Sequence, residues 1–158
     1  MQEVMERIVF MLFALMTSLN VISQEFMGIS LNQSVANFEK ELFGRGYSKV
    51  KEYDDRTLYR GDADYVYILK GEMDNEKVYC VISSVPVVRR KSDAVAVFNQ
   101  RKNEILDKYD GETFEVALEN GFMTLTLDNE TSHILVSVDS SREDMYLVNV
   151  LFKNRLAY

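Results

Sequence analysis

The chain has 158 residues, of which 47% are hydrophobic and 27% charged, a composition typical of one globular domain rather than of a disordered segment. Its net charge of −7, without a basic stripe, disfavours binding to nucleic acid or to anionic membrane surfaces. Cys80 is the single cysteine, which excludes an intramolecular disulfide, so the core alone must hold the domain together.

An apolar run near the N-terminus predicts a cleavable export signal in residues 1–23. Residues 8–19, extended by Val21 and Ile22, give about 15 apolar positions, fewer than the roughly 20 that a transmembrane helix needs. Short side chains before the predicted cleavage site favour Gln24 as the mature N-terminus. The signal contains two glutamates and one arginine, so the mature domain, 24–158, has a net charge of −6. No cysteine directly follows the run, which excludes a lipoprotein anchor.

The start of this signal is unusual, because Glu3 and Glu6 are balanced only by Arg7, whereas export signals favour a positive start. Initiation at Met5 would improve the balance. Two other interpretations of residues 1–23 stay open, namely an uncleaved membrane anchor and the buried first helix of a cytosolic domain.

Residues 24–86 predict a strand, a helix and four further strands. The first strand covers 26–31, and Ser34 is the predicted N-cap of a helix that ends at Gly44 or Gly46. Apolar residues recur in this helix at helical spacing: Val35, Phe38 and Leu42. The predicted strands are 48–53, 57–60, 65–73 and 77–85, the last two joined by a turn at 74–76. Pro86 closes this half.

Residues 87–158 repeat the same order of elements. Ser92 is the predicted N-cap of a second helix, with Asp93 in its first turn, and the helix runs to about Tyr109. Three or four strands follow, at 113–118, 122–127, 132–138 and 145–152. Asn120-Gly121 predicts a tight hairpin because both positions tolerate positive φ. The predicted class is therefore α+β, with helices packed on one face of a mostly antiparallel sheet.

The two halves, 24–86 and 87–158, suggest a tandem duplication of a helix-plus-meander unit. Each half contains Asp-Asn-Glu at a predicted hairpin, at 74–76 and at 128–130. Counting from these turns, three apolar positions in one half correspond to three in the other: Met73, Cys80 and Ile82 to Leu127, Ile134 and Val136. Chance stays open as an explanation, because Asp and Asn are common in any tight turn.

The segment 26–34, with Phe38, Leu42 and Gly46 beyond it, resembles the opening of small exported proteins of gut Bacteroidetes, which begin after the signal with a Phe-x-Gly-Ile strand and a capped helix. The likeness covers about 25 residues and implies export but no activity. In architecture alone, two helix-plus-meander units resemble the β-lactamase inhibitor protein fold, which binds partner proteins on a concave sheet. None of the inhibitors' own residues can be matched, so this is an analogy of fold.

Catalytic and metal-binding signals are weak. Cys80 is predicted to be a small buried hydrophobe, with Val78 and Ile82 on the same strand face, and His133 a solvated residue beside the turn at 128–130. A thiol nucleophile at Cys80 would need His133 as its base. Acidic pairs and triplets occur in predicted turns, where solvated surface is the default: Asp54/Asp55, Asp62/Asp64 and Glu72/Asp74/Glu76. Arg89-Arg90-Lys91 is interpreted as a solvated loop. We predict no enzyme activity, no metal and no cofactor.

Tyrosines give the most suggestive pattern. Tyr65 and Tyr67 share a strand face opposite Val66 and Ile68. Tyr59 and Tyr79 are assigned to the same exposed row, with Tyr79 facing away from Cys80. If the helices cover the aliphatic face, these rings remain on the open face, where tyrosine suits contact with a protein or glycan. The alternative is that the rings complete a core or shield the sheet.

Three functions follow from this pattern. The first is an exported, non-enzymatic binding module, periplasmic or secreted, which binds an unknown protein or glycan through Tyr59, Tyr65, Tyr67 and Tyr79. The second is an assembly subunit of the cell envelope, in which this face or an edge strand pairs with a neighbour, so that homo-oligomers are possible. The third is a hydrolase that uses a pair of carboxylates in a deep pocket.

The export prediction is tested by the mass of the protein purified from its native cell. Cleavage after Ser23 should give a chain that begins at Gln24 and is found outside the cytosol, because the apolar run is too short to stay in the bilayer. A soluble cytosolic chain that retains Met1 or Met5 would contradict both the cleavage and the assigned compartment.

Overall fold

The computed structural model describes residues 24–70, 77–88, 90–142 and 145–155. The predicted signal at 1–23 and the predicted turn at 74–76 lie outside the described residues. The described chain forms two helices, an eight-stranded antiparallel sheet and a two-stranded hairpin. The predicted α+β class with a mostly antiparallel sheet is therefore confirmed.

Each half contributes one helix and then four strands of the large sheet. The first half contains α1 (Val35–Gly44), β3 (Ser48–Glu52), β4 (Arg56–Arg60), β5 (Tyr65–Lys70) and β6 (Val78–Val88). The second half contains α2 (Lys91–Lys108), β7 (Phe114–Glu119), β8 (Phe122–Asp128), β9 (Ser132–Arg142) and β10 (Met145–Asn154). Before α1, β1 (Glu25–Phe26) and β2 (Ile29–Ser30) form the separate small hairpin.

The spatial order of the large sheet is β3-β4-β5-β6-β10-β9-β8-β7. Each half is a meander, and the two meanders meet at their last strands, β6 and β10, which pair from Val88 opposite Met145 to Cys80 opposite Lys153. The first strands of the two halves, β3 and β7, consequently lie at the two edges.

The structure does not confirm the predicted match between the two Asp-Asn-Glu tripeptides. In the order of the chain, residues 74–76 come between the third and fourth strands of the first half, whereas 128–130 come between the second and third strands of the second half. The apolar positions counted from these turns also fail to match. Ile82 pairs with Tyr67 and Val136 pairs with Leu125, and these two pairs lie on opposite faces of the sheet.

The predicted strand at 26–31 is instead a tight hairpin. Met27 and Gly28 both have positive φ, at 52° and 76°, and turn the chain between β1 and β2. Two successive positive-φ residues are the signature of a two-residue hairpin turn, which glycine usually marks, but methionine at the first position concealed it. At Asn120-Gly121 the same geometry was predicted and is confirmed, with φ values of 50° and 78°.

The two helix starts differ in their capping. The hydroxyl of Ser34 accepts a hydrogen bond from the backbone N–H of Asn37 at 3.3 Å, which confirms the predicted N-cap of α1. The helix α2 begins at Lys91, one residue before the predicted cap Ser92, and Arg90 in the cap position makes no side-chain cap bond. Asp93 does lie in the first turn, where its charge favours the helix.

Pro86 does not end its strand, contrary to the prediction. β6 continues to Val88, and Pro86 pairs with Leu147 of β10. On the other side of β6, the pairing with β5 starts at Ser84, so Pro86 lies where the strand has only one neighbour. A proline is tolerated there because its missing N–H interrupts no second ladder.

One face of the sheet, which we call the Val66 face, carries most of the core. Two cross-strand rows define it. The first row is Tyr59, Val66, Ser83, Val150, Val136, Leu125 and Val116. The second row is Thr57, Ile68, Val81, Phe152, Ile134, Leu127 and Phe114. The ring of Phe26 lies 6.4 Å from that of Phe38 in α1 and 5.9 Å from that of Phe152. The side chains of α2 that join the same core are Ala94, Phe98 and Ile105.

We expect the free energy of unfolding to depend strongly on the burial of α1 against this core. Replacing Phe38, which is fully buried, with alanine should lower the free energy of unfolding by about 3–5 kcal/mol. Phe43 on the same helix is 45% exposed and provides the matched control, for which we expect a loss of less than about 1.5 kcal/mol. Chemical denaturation of both variants measures the difference, and equal losses would contradict the assigned orientation of α1.

Candidate binding face of the sheet

The opposite side of the sheet, here named the Tyr67 face, is built from three cross-strand rows. The central row crosses all eight strands, through Lys51, Leu58, Tyr67, Ile82, Leu151, Leu135, Thr126 and Glu115. The row on one side is Arg60, Tyr65, Ser84, Asn149 and Ser137, and the row on the other is Arg56, Leu69, Cys80, Lys153, His133 and Asp128.

The centre of the Tyr67 face is apolar and aromatic. Seven large side chains from five neighbouring strands lie there, and all are half-buried: Leu58, Tyr65, Tyr67, Leu69, Ile82, Leu135 and Leu151. A sheet face in contact with water is usually polar, so the strands then alternate apolar and polar residues. Here, instead, both faces of the central strands are apolar.

Tyr65 and Tyr67 lie on this face as predicted, but the assignment of Tyr59 to the same row is wrong. Tyr59 pairs with Val66, is fully buried, and hydrogen-bonds through its hydroxyl to Glu39 of α1. Its ring also lies 6.0 Å from that of Phe43. Burial and the nearby carboxylate both raise the pKa of Tyr59, which keeps the hydroxyl protonated as a donor. Tyr59 is therefore a core residue.

A β-bulge explains the position of Tyr79. The pairing of β5 with β6 shifts register between Leu69, which faces Cys80, and Lys70, which faces Val78, so Tyr79 is the extra residue. The ammonium of Lys153 lies 5.1 Å from the centroid of the Tyr79 ring. Lys153 is the direct partner of Cys80, so Tyr79 contacts the Tyr67 face. The sequence predicted Val78, Cys80 and Ile82 on one face of the strand and Tyr79 on the other. This prediction is wrong, because the bulge breaks the alternation between Val78 and Cys80.

Positive charge gathers at one end of the Tyr67 face, although the chain as a whole is acidic. Lys51, Arg56 and Arg60 are exposed on β3 and β4, beside the apolar centre. The ring of Tyr53 lies between two of them, 4.7 Å from Nζ of Lys51 and 5.2 Å from Cζ of Arg56. Arg56 is also 3.9 Å from the exposed Asp55. This end of the face therefore combines tyrosine rings with cations.

Cys80 and His133 do not form a catalytic pair. The strand β10 lies between β6 and β9, so Lys153 separates Cys80 from His133 in the row. Cys80 is buried as predicted, and burial raises the pKa of its thiol from 9.0 to about 12. A nucleophilic cysteine needs the opposite shift, because the thiolate is the reactive form.

His133 forms part of a small polar cluster at the end of β9. Its Nδ1 lies 3.2 Å from Oδ1 of Asp128, and Arg155 pairs with the same carboxylate. These two partners hold the pKa of Asp128 below its usual range, with the hydrogen bond from His133 as the largest cause. The half-buried side chain of His133 lies on the other face of β9 from the buried Ile134, as the alternation predicted.

Asp64 contradicts the prediction that the acidic turns are solvated. It is only 7% exposed, and its carboxylate accepts hydrogen bonds of 2.8 Å from the hydroxyls of Tyr47 and Ser83. Burial, followed by the hydrogen bond to Asp64, raises the pKa of Tyr47. Gly61 is required beside this network, because a Cβ there would lie 2.7 Å from the ring of Tyr47. These groups satisfy one another, so the network stabilises the fold.

A cleft of about 270 Å³, lined by residues of α2 and by Ser83, Val150 and Phe152, bears on the predicted hydrolase. Two carboxylates line it, those of Glu25 and Glu104. Each is in an ion pair, Glu25 with Lys108 at 3.3 Å and Glu104 with Arg101 at 3.0 Å. These ion pairs occupy the carboxylate oxygens that a hydrolase would direct at its substrate. The cleft therefore gives the hydrolase hypothesis no support.

Within the described ranges, no group of three or more His, Cys, Asp or Glu side chains is arranged to hold a metal ion. In the same ranges, neither helix is long and apolar enough to cross a membrane. The acidic triplet Glu72/Asp74/Glu76 lies outside the described residues.

Sequence reasoning missed part of the Tyr67 face, and a usable signal was present. Ile134-Leu135-Val136 and Val150-Leu151-Phe152 are continuous apolar runs rather than alternating ones. Such runs are typical of strands with apolar residues on both faces. They would have added Leu135 and Leu151 to the candidate face.

No family model, no curated protein and no solved structure matches this chain.

The raised pKa of Cys80 gives a direct test of its environment. At about pH 8 the folded protein should react negligibly with an aromatic disulfide reagent, and denaturant should expose one reactive thiol. The folded state holds the thiol proton of Cys80 more tightly than the unfolded state does. The protonated thiol therefore contributes to the free energy of unfolding below about pH 9, and this contribution declines as the pH rises towards 12. Rapid labelling of the folded protein would contradict the burial of Cys80.

Proposed function

We propose that this protein is an exported, non-enzymatic module that binds a partner protein through the Tyr67 face. The observation that carries the proposal is the half-buried apolar centre of that face, built around Tyr65 and Tyr67. Contiguous apolar patches rimmed by polar residues mark interaction sites on protein surfaces. Tyrosine is favoured at such sites, because it combines a large ring with a polar tip.

The proposal includes both helices packing on the Val66 face, which leaves the Tyr67 face for the partner. Three contacts support this arrangement: Glu39 of α1 with Tyr59, Phe38 of α1 with Phe26 and through it Phe152, and the cleft that α2 forms with Ser83 and Val150. A tandem duplication is also part of the proposal. The shared order of one helix and four strands supports it, whereas the tripeptides do not.

The chemistry of the face favours a protein with an acidic surface over a glycan. Leucine and isoleucine outnumber tyrosine at the centre, and aliphatic side chains suit apolar side chains better than sugar hydroxyls. Lys51, Arg56 and Arg60 lie next to this centre and would meet carboxylates on the partner. Export through the signal at 1–23 would present the face to partners in the periplasm or outside the cell.

Replacement of both Tyr65 and Tyr67 with serine tests the proposal. The immobilised protein is incubated with envelope extract, and captured material is quantified for the parent and the variant. We expect capture to weaken by at least about tenfold, because central aromatic residues dominate binding energy. Phe43→Ser, an exposed aromatic change on α1, is the matched control and should bind like the parent. Unchanged capture by the double variant would overturn the assigned face.

A second experiment tests the charge and the class of partner. The double variant Arg56→Glu and Arg60→Glu should lower capture, and added salt should weaken the parent more than this variant. Protease treatment of the extract should abolish capture. Capture that survives digestion would indicate a glycan and contradict the protein assignment, while leaving the Tyr67 face itself as the site.

A further inference from the structure

The two edge strands of the sheet differ in how open they are to further pairing. β3 contains Lys49 and Lys51, and its pairing with β4 shifts register between them. Lysines and bulges on an edge strand discourage the addition of another strand. β7 pairs with β8 in unbroken register from Phe114 to Glu119 and contains neither lysine nor proline. β7 is therefore the edge that lacks these protective features.

Apolar side chains are exposed along β7 and its neighbour. Leu118 is 74% exposed, Val116 63% and Met123 of β8 44%. Val116 ends a row of the Val66 face, next to the buried Leu125, so the exposed residues extend the core to the sheet edge. Such a patch is typical of an interaction site when it lies beside a strand edge that no other described strand pairs with.

We propose that β7 pairs with β7 of a second copy of this chain, about a two-fold axis at Val116, to form a homodimer with one continuous sheet. In this register Val116 lies opposite the partner's Val116, and Phe114 lies opposite the partner's Leu118. On the other face, Glu115 lies opposite the partner's Ala117. Apolar residues meet apolar residues, and no two glutamates face each other directly.

The other symmetric registers are less favourable. An axis at Ala117 would place Glu115 directly opposite the partner's Glu119, and an axis at Glu115 would place it opposite the partner's Glu115. Like charges directly opposite each other destabilise a strand pair. An axis at Leu118 would leave a shorter pair. A two-fold axis between residues is excluded, because it would place residues of opposite faces directly opposite each other, whereas directly opposite residues in an antiparallel pair share a face. The sequence of β7 thus fits itself best in one register.

A head-to-tail pairing of β7 with β3 of another copy is the competing arrangement. The glutamates of β7 and the lysines of β3 have opposite charges, and repetition of this contact would build an open filament. The bulge in β3 opposes it, and Lys49 is already paired with Glu39 at 3.0 Å and Glu52 at 3.3 Å. We therefore favour the closed dimer, which does not depend on the Tyr67 face.

Disulfide trapping tests the register. The full chain, expressed with residues 1–23 and purified in the form that the cells yield, is oxidised as the variant Val116→Cys or Leu118→Cys. The Cα atoms at position 116 of the two copies would lie about 5 Å apart across the axis, within the range of a disulfide, so Val116→Cys should form dimers. Leu118 and the partner's Leu118 are offset by four positions, roughly 13 Å, so Leu118→Cys should not. The parent chain, with Cys80 buried, should also stay monomeric on denaturing gels.

Sedimentation over a range of concentrations tests the dimer itself. Five paired residues form a small interface, so we expect a dimer that dissociates on dilution. The double variant Val116→Lys and Leu118→Lys should be monomeric throughout, whereas Val50→Lys on the exposed part of β3 should behave like the parent. Both sites are exposed, and circular dichroism confirms that the variants keep the fold. A monomeric parent at every concentration, equal trapping at 116 and 118, or loss of association through Val50→Lys would each overturn the proposal.

Discussion

The antiparallel pairing of β6 with β10 is the interaction on which the other features depend. It joins the last strand of each half in one continuous ladder, from Val88 opposite Met145 to Cys80 opposite Lys153. Because directly opposite residues in such a ladder share a face, this one pairing decides which residues of the two halves meet. It places Ile82 beside Leu151 on the Tyr67 face and Val81 beside Phe152 on the Val66 face.

The two faces created in this way have different compositions and, in our proposals, different roles. The Val66 face carries mainly aliphatic residues, together with Phe152 and the buried Tyr59, and the helices contribute Phe38, Phe98 and Ile105 to the same core. The Tyr67 face remains half-buried and is apolar at its centre, with cations at the β3–β4 end. Both edges of the sheet then come from the first strands of the halves, which leaves β7 available for the proposed dimer.

The sequence predicted the helices, strands and turns of this fold more fully than the contacts between them. Ser34, the α1 stripe and the Asn120-Gly121 turn follow local rules, in which a few neighbouring residues determine the conformation. Strand pairing across the sheet joins residues that are distant in the chain, so local patterns do not predict it. The bulge at Tyr79 is one example, because the alternation of a single strand cannot reveal an extra residue relative to its neighbour.

The candidate site shows the same division. Tyr65 and Tyr67 could be placed from their own strand, since Val66 and Ile68 alternate with them. Tyr59 could not, because its strand is short and the carboxylate that it contacts, Glu39, comes from α1. Asp64 could not be predicted either, since the hydroxyls that justify its burial belong to Tyr47 and Ser83, each at least 17 positions away in the chain.

The single continuous sheet from β3 to β7 also bears on how a partner would be recognised. A sheet in which every strand is bonded to its neighbour has no hinge about which the halves could rotate around a ligand. Recognition on such a surface relies on side-chain rotations over a fixed backbone, so little chain entropy is lost on association. We would therefore expect the free and bound forms to superimpose closely, and the partner to supply most of any adaptation in shape.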